Sequence, residues 1–350
     1  MLRGWRRQNG GRIIIGVQLK EDLNEMADVK RNSWVDAYRF LLICIIVIHH
    51  YSLRYPQIYP DAIFNFQFKE GGIIGNFVFM YISGYFLTNS LLNGYGVGDW
   101  FKYCLNKWWR FFPTAVICMV LIFIITHLSP LTEDRMVTLP QLLLNFLIVN
   151  PGFKPVDGSH WFIASLLQMQ LLLSVLMFIK SSRTKLVVLY TLFILAAILY
   201  VLGDVKEFAL DNVLRAVLCE KWLPVLLAGS ITKLIFEKKI SAKALFIPVM
   251  VIGYYVIQYN TLSVFVLTLV FLCISLKAPQ IKCPIVLQKL GEMSFVWYLL
   301  HQNIGYCIIN ELRDHGIRQE FYLIFVAMTL TLILSYMVYI CLRKIPTKIL

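Results

Sequence analysis

Charge is scarce in this sequence: only 15% of its 350 residues are Asp, Glu, Lys or Arg, against 59% hydrophobic ones, and the mean hydropathy is +0.68. A soluble chain of this length keeps a roughly even apolar share and separates its apolar elements by polar runs. Those runs are missing, which excludes a soluble enzyme or a soluble binding domain. Cysteine chemistry is missing too. Eight cysteines occur, but no CxxC and no Cys/His metal spacing, and only Cys219 approaches the outer side. Neither a disulfide framework nor a metal site is expected, and the cysteines read as small packing hydrophobes. There is no internal repeat, no low-complexity tract and no appended soluble domain. Nor does a small-residue cleavage site follow the short IIIGVQL segment. Residues 1–33 are therefore expected to be a basic cytoplasmic arm, with a true start at Met26 as the alternative.

What the sequence does contain is apolar runs of membrane-crossing length, about 17 to 23 residues for ~30 Å of hydrocarbon. Ten spans are predicted, at 35–53, 71–93, 111–129, 160–179, 186–202, 222–236, 243–258, 260–276, 292–311 and 320–342. When the connections alternate from an inside amino terminus, 23 of the 33 Lys and Arg residues fall inside and 9 outside, with Arg39 within a span. That asymmetry predicts an all-α polytopic protein of the cytoplasmic membrane with both termini cytoplasmic. The net charge of +13 then marks topology and contact with anionic lipid rather than nucleic acid. Two further outer elements are expected. LPQLLLNFLIV in the 130–159 connection is too short to cross and reads as interfacial or re-entrant. Residues 205–219 pattern as a second interfacial helix with an Asp211–Arg215 pair.

Ionisable groups at membrane depth cost at least a few kcal/mol, so they normally face the bundle interior or a water-filled cavity. In YRFLLICIIVIHH, residues 38–50, an arginine enters an apolar run and two histidines leave it. At 100° per residue Asp36, Arg39 and His50 fall within ~60° of one another, whereas His49 lies ~100° from His50. Arg39 and His50 are about 16 Å apart along the axis, which puts the arginine near the cytoplasmic leaflet and the histidine near the outer one. Taken singly, each has an ordinary alternative: Arg39 snorkels beside Asp36, and the histidines end the helix among tyrosines.

Taken together they resemble a family. DAYRFLLICIIVIHH, GNFVFMYISGYFL, KWWRFFP, SHWFIASLLQMQLL and SFVWYLLHQ occur in that order, and the series is similar to the acyltransferase-3 family of integral membrane O-acyltransferases. The resemblance covers about 34–342 and leaves 343–350 as a cytoplasmic tail. It implies transfer of an acyl group, commonly acetyl from acetyl-CoA, to a glycan or similar acceptor, with His50 as the catalytic histidine and Arg39 as its partner. Two departures stand out. Lys107 replaces the first of two arginines usual in the third-helix motif while Arg110 stands, and WFIASLLQMQ lacks a glutamate that many members carry. The departures bring the chain nearer the members that modify surface polysaccharides.

The residue chemistry agrees. A neutral histidine in a partly desolvated cavity suits either a general base or an acyl-carrying nucleophile, and Arg39 suits either a phosphate of acyl-CoA or developing negative charge. Lys107 and Arg110, three apart on one helix face, read as a positive-inside anchor and as a clamp for coenzyme A phosphates. His160, after Asp157 in PVDGSHW, is a supporting or acceptor-binding candidate, and His301, midway through the ninth span, needs polar partners and reads as a cavity residue. Gly71 and Gly75, and the Ser83–Gly84 pair, point chiefly to close helix packing, with Ser83 a supporting candidate beside the His50 cavity. The reading is a membrane O-acyltransferase acting on a cell-surface or lipid-linked carbohydrate. Acyl-CoA is its co-substrate, no cofactor or metal is permanently bound, and polysaccharide-assembly proteins are candidate partners. The rival is a transporter or flippase for a lipid-linked glycan, although the inverted repeats common in transporters are missing.

Overall fold

The computed structural model describes residues 33–93, 96–129, 131–148, 154–204, 221–277 and 282–345. The arm up to residue 32, the expected helix at 205–219 and the last five residues lie outside them. The described residues are helical with no strand. In chain order the helices are α1 (Ser33–His49), α2 (Gly71–Asn93), α3 (Val97–Leu128), α4 (Leu139–Asn145), α5 (Trp161–Leu173), α6 (Ser182–Asp204), α7 (Leu223–Phe236), α8 (Phe246–Gln258), α9 (Ser263–Lys277), α10 (Ile285–Asp314) and α11 (Glu320–Leu342). Each predicted span coincides with a helix. Six are long and apolar enough to cross a membrane, which marks a multi-pass membrane protein; the helices at 223–236, 242–258 and 263–276 are shorter.

Several helices outrun the predicted spans. α1 continues through a π-helical turn, His50–Arg54, into Tyr55–Ile58. α3 begins at Val97 and runs through Pro113, whose missing N–H removes one intrahelical bond. Membrane helices tolerate such breaks where neighbouring groups re-satisfy the backbone. α10 reaches 30 residues, with an exposed first turn, and buries Ser294, His301, Gln302, Asn303 and Arg313 along its length. The expected short element in the outer connection is α4, seven residues closed by a capping box between Thr138 and Gln141.

Lipid tails give helices no hydrophobic reason to associate, so close backbone approach and buried hydrogen bonds hold the bundle. α1 lies parallel to α10. Gly291 meets the Asp36 backbone and Gly305 the Tyr51 ring, at distances that leave no room for a Cβ. Phe40 stacks on Trp297 at 5.4 Å, and Tyr55 donates to Asn310 at 2.6 Å. α2 runs parallel to α7, with Gly84 against the Leu226 carbonyl and Gly229 against the Tyr81 carbonyl, again without space for a Cβ. Ser230 and Thr88 seal this crossing onto the Gly84 carbonyl at 2.9 and 3.1 Å. Lys185, which is 1% exposed, donates to the Leu91 and Leu92 carbonyls and thereby caps the C-terminal end of α2, where a cation is favoured.

Candidate active site

The π turn at the end of α1 separates the two histidines. A π turn fits an extra residue into a helix and re-aims the side chains around it. The Nδ1 of His49 contacts the Phe68 carbonyl at 2.8 Å, and its ring packs against Gly72 at the start of α2. His50, its ring centroid 5.6 Å from that of His49, turns instead to α10, with its Nδ1 3.2 Å from His301 Nε2 and ring centroids 4.9 Å apart. His301 is 0% exposed, and its Nδ1 lies 2.7 Å from the Tyr298 carbonyl. A carbonyl only accepts, so His301 Nδ1 carries the proton and its Nε2 is a lone pair. His50 must then donate from Nδ1, which leaves its own Nε2 as the free base. The carbonyl of Tyr298 thus fixes the tautomers of both rings.

The connection between α3 and α5 closes over this pair. Asp157 accepts the Ser159 N–H and hydroxyl at 2.8 and 2.7 Å with one oxygen and the Asn303 N–H at 2.8 Å with the other. His160 Nε2 lies 3.2 Å from the Leu299 carbonyl, and Tyr51 donates to the His301 carbonyl at 2.6 Å. These bonds tie the 157–160 turn and the end of α1 to one stretch of α10, residues 298–303. Arg135, from the same connection, donates to Asn303 Oδ1 at 3.0 Å and lies over the Tyr306 ring at 5.0 Å. The Tyr306 hydroxyl in turn donates to the His50 carbonyl at 3.3 Å and accepts from Gln302 at 3.4 Å. Farther out, buried Arg313 bonds Asp61 at 2.6 Å; this bond holds the loop carboxyl below the usual carboxylate range.

The remaining predicted residues occupy a deeper layer. Arg39 pairs with Asp36 at 3.0 Å and lies over the Phe86 ring at 5.6 Å. Lys107 lies over Tyr103 at 5.2 Å, and Arg110, one turn on, is exposed. Phe111 meets Phe295 at 5.6 Å, which puts Arg110 on the α10 level that Asp36 and Phe40 also reach through Gly291 and Trp297. His301 is six residues farther along α10 than Phe295, about 9 Å. Ser83 donates to the Phe79 carbonyl of its own helix at 2.8 Å. The structure therefore brings His50, His301 and His160 onto one polar stretch and leaves Asp36 and Arg39 on α1 and Lys107 and Arg110 on α3 at a second level of α10, with each cation over an aromatic ring or exposed. The sequence offers no signal for Arg135 or Tyr306; the need of His301 for polar partners is the one feature that points to its neighbours Gln302 and Asn303. A family model described as an acyltransferase domain matches residues 32–340. No curated protein and no solved structure matches the chain.

Proposed function

The chain belongs to the acyltransferase-3 family, and on that premise we propose that it is a membrane O-acyltransferase in which His50 is the general base. Membrane acyltransferase activity follows from the family. The donor we assign is an acyl-CoA, most simply acetyl-CoA, held from the cytoplasmic side by Lys107 and Arg110 with Arg39 above them, and the acceptor is a hydroxyl of a cell-surface or lipid-linked carbohydrate. Ten crossings with both termini cytoplasmic, in the cytoplasmic membrane, complete the reading.

The observation that carries it is the His50–His301 contact with its tautomer set by the Tyr298 carbonyl. A second group that fixes the tautomer of a basic histidine is the recurring device of acyl-transfer sites. The His50 Nε2 lone pair removes the acceptor hydroxyl proton as the oxygen attacks the thioester carbonyl, and the carbonyl π pair moves onto oxygen. Collapse reforms the carbonyl, breaks the C–S bond, and returns the proton from the His50 imidazolium to the departing thiolate. His160, with Nε2 committed to the Leu299 carbonyl, presents Nδ1 as an acceptor for a substrate hydroxyl.

The test compares His50→Ala with His49→Ala at equal membrane levels, reading acyl groups delivered to surface glycan by mass spectrometry. Loss of a general base costs about 10²- to 10⁴-fold in rate, and that loss is expected for His50→Ala. His49→Ala, whose ring is tied to the Phe68 carbonyl, should stay within about tenfold of wild type. Loss of the whole glycan, rather than of its acyl mass, would point to transport instead.

A further inference from the structure

Three buried side-chain atoms around the histidine pair have no hydrogen-bond partner: Arg135 Nε, His160 Nδ1 and Gln302 Oε1. His160 and Gln302 are only 5% and 4% exposed. An unsatisfied buried polar atom is costly, because nothing replaces the hydrogen bond it gave up to water. All three belong to residues that meet or form the α10 stretch from Leu299 to Tyr306, and native proteins rarely leave such atoms unpaired without a use for them.

Charge singles out Arg135. Among the described residues three arginines are not exposed, namely Arg39, Arg135 and Arg313. Arg39 carries Asp36 at 3.0 Å and Arg313 carries Asp61 at 2.6 Å. Arg135 is held by neutral groups alone, the Asn303 amide and the Tyr306 ring. Asp157, the carboxylate of this network, spends its oxygens on Ser159 and Asn303. A cation so anchored keeps its charge for another anion. Its position is equally specific, because Tyr306, on whose ring it lies, bonds the His50 backbone. Arg39 sits eleven residues down α1 from His50, about 16 Å away.

We propose that Arg135 is the cation of the reaction centre: its guanidinium takes up the negative charge that develops on the acyl carbonyl oxygen as the hydroxyl deprotonated by His50 attacks. This rests on the acyl-transfer reading above and adds no reactant to it. The charge formed on oxygen is the one released when the C–S bond breaks, and Arg135 gains and loses no proton. Arg39 is then left to the donor side with Lys107 and Arg110. The two cation layers divide the work, the deep one binding coenzyme A and the outer one stabilising the transition state.

The measurement is label from [1-¹⁴C]acetyl-CoA retained in the glycan fraction of membrane vesicles, followed against acetyl-CoA concentration at equal protein levels. Removing an oxyanion donor typically costs about 10²- to 10³-fold in kcat. Arg135→Gln is expected to lose that much in maximal rate while KM for acetyl-CoA stays within about threefold, since the interaction is made only in the transition state. Arg39→Gln is expected to act on KM instead. Arg135→Lys keeps the charge but loses Nε and the planar fork, and should fall about tenfold; it decides the matter if Arg135→Gln does not accumulate. A maximal rate within threefold of wild type in either Arg135 variant, or a loss confined to KM, overturns the proposal. If His50→Ala is dead while Arg135→Gln is fully active, acyl transfer stands and this inference alone fails. Wild-type membranes that retain no label would sink both.

Discussion

At the scale of single residues the site turns on hydrogen-bond polarity. His301 contributes no base of its own, because its Nε2 lone pair is aimed at His50 Nδ1 and its Nδ1 proton at the Tyr298 carbonyl. Its substitution should therefore slow the reaction without weakening donor binding. His301→Ala is expected to lower maximal transfer about 10- to 100-fold, the usual cost of removing a group that orients a functional histidine, with KM for acetyl-CoA unchanged. A KM effect as large as the rate effect would mean that His301 touches the donor. Part of this was legible in the sequence. Ionisable residues inside apolar runs are rare enough to stand out, so His50, Arg39 and His301 could be picked from composition and helical spacing. Arg135 could not. In a hydrophilic connection an arginine is unremarkable, and nothing local says that residues 168 positions later will hold it.

At the scale of helices, the positions came through well and the ends did not. Apolar periodicity locates a helix, but the first turns of α3 and α10, whose side chains are largely exposed, lie outside the predicted spans and carry no membrane signal. The π turn of α1 was invisible too: the tyrosines in and after it, Tyr51 and Tyr55, bond α10, and the Tyr51 partner lies 250 residues away in sequence. Small residues were more informative, and Gly84 was read as a packing position. In the structure Gly84 and Gly229 let α2 and α7 meet backbone to backbone. A methyl group at either position must push the helices apart. Overpacking of this kind costs about 1–3 kcal/mol, so Gly84→Ala and Gly229→Ala should each lower the thermal midpoint of the detergent-solubilised protein. Gly253→Ala, within α8 and with open space around its Cα, is expected to keep or raise the midpoint, since alanine is the better helix former. Equal midpoints for all three would show that the α2–α7 crossing does not limit stability.

For the molecule as a whole, relative helix directions constrain the number of crossings. α3 runs the same way as α10, since Phe111 meets Phe295 and Ser129 bonds Glu311. α1 also runs with α10. α2 opposes α1, with Gly71 near His49 and Gly75 against Ile46, and α7 runs with α2, from Tyr81 at Gly229 to Asn89 at Glu237. α7 therefore opposes α10, and only α8 and α9 lie between them. Those two either both cross, or both turn back within the membrane; one alone would reverse α10. Their lengths leave the choice open on geometry, because Ala242–Gln258 and Ser263–Leu276 reach roughly 20 to 25 Å of a ~30 Å core. Charge favours crossing. Lys238, Lys239 and Lys243 precede the pair and Lys277, Lys282 and Lys289 follow it, while the turn between, QYN at 258–260, has none; basic residues at both ends of a hairpin hold those ends cytoplasmic. The prediction is a labelling pattern. In a background without the native cysteines, Gln258→Cys should react with a membrane-impermeant maleimide in intact cells, whereas Lys239→Cys and Lys282→Cys should react only after permeabilisation. If Gln258→Cys also waits for permeabilisation, α8 and α9 form a re-entrant pair and the chain crosses eight times. The direction of α10 relative to α1, α2 and α7 would survive that outcome, because removing two crossings together preserves every relative direction fixed by the contacts.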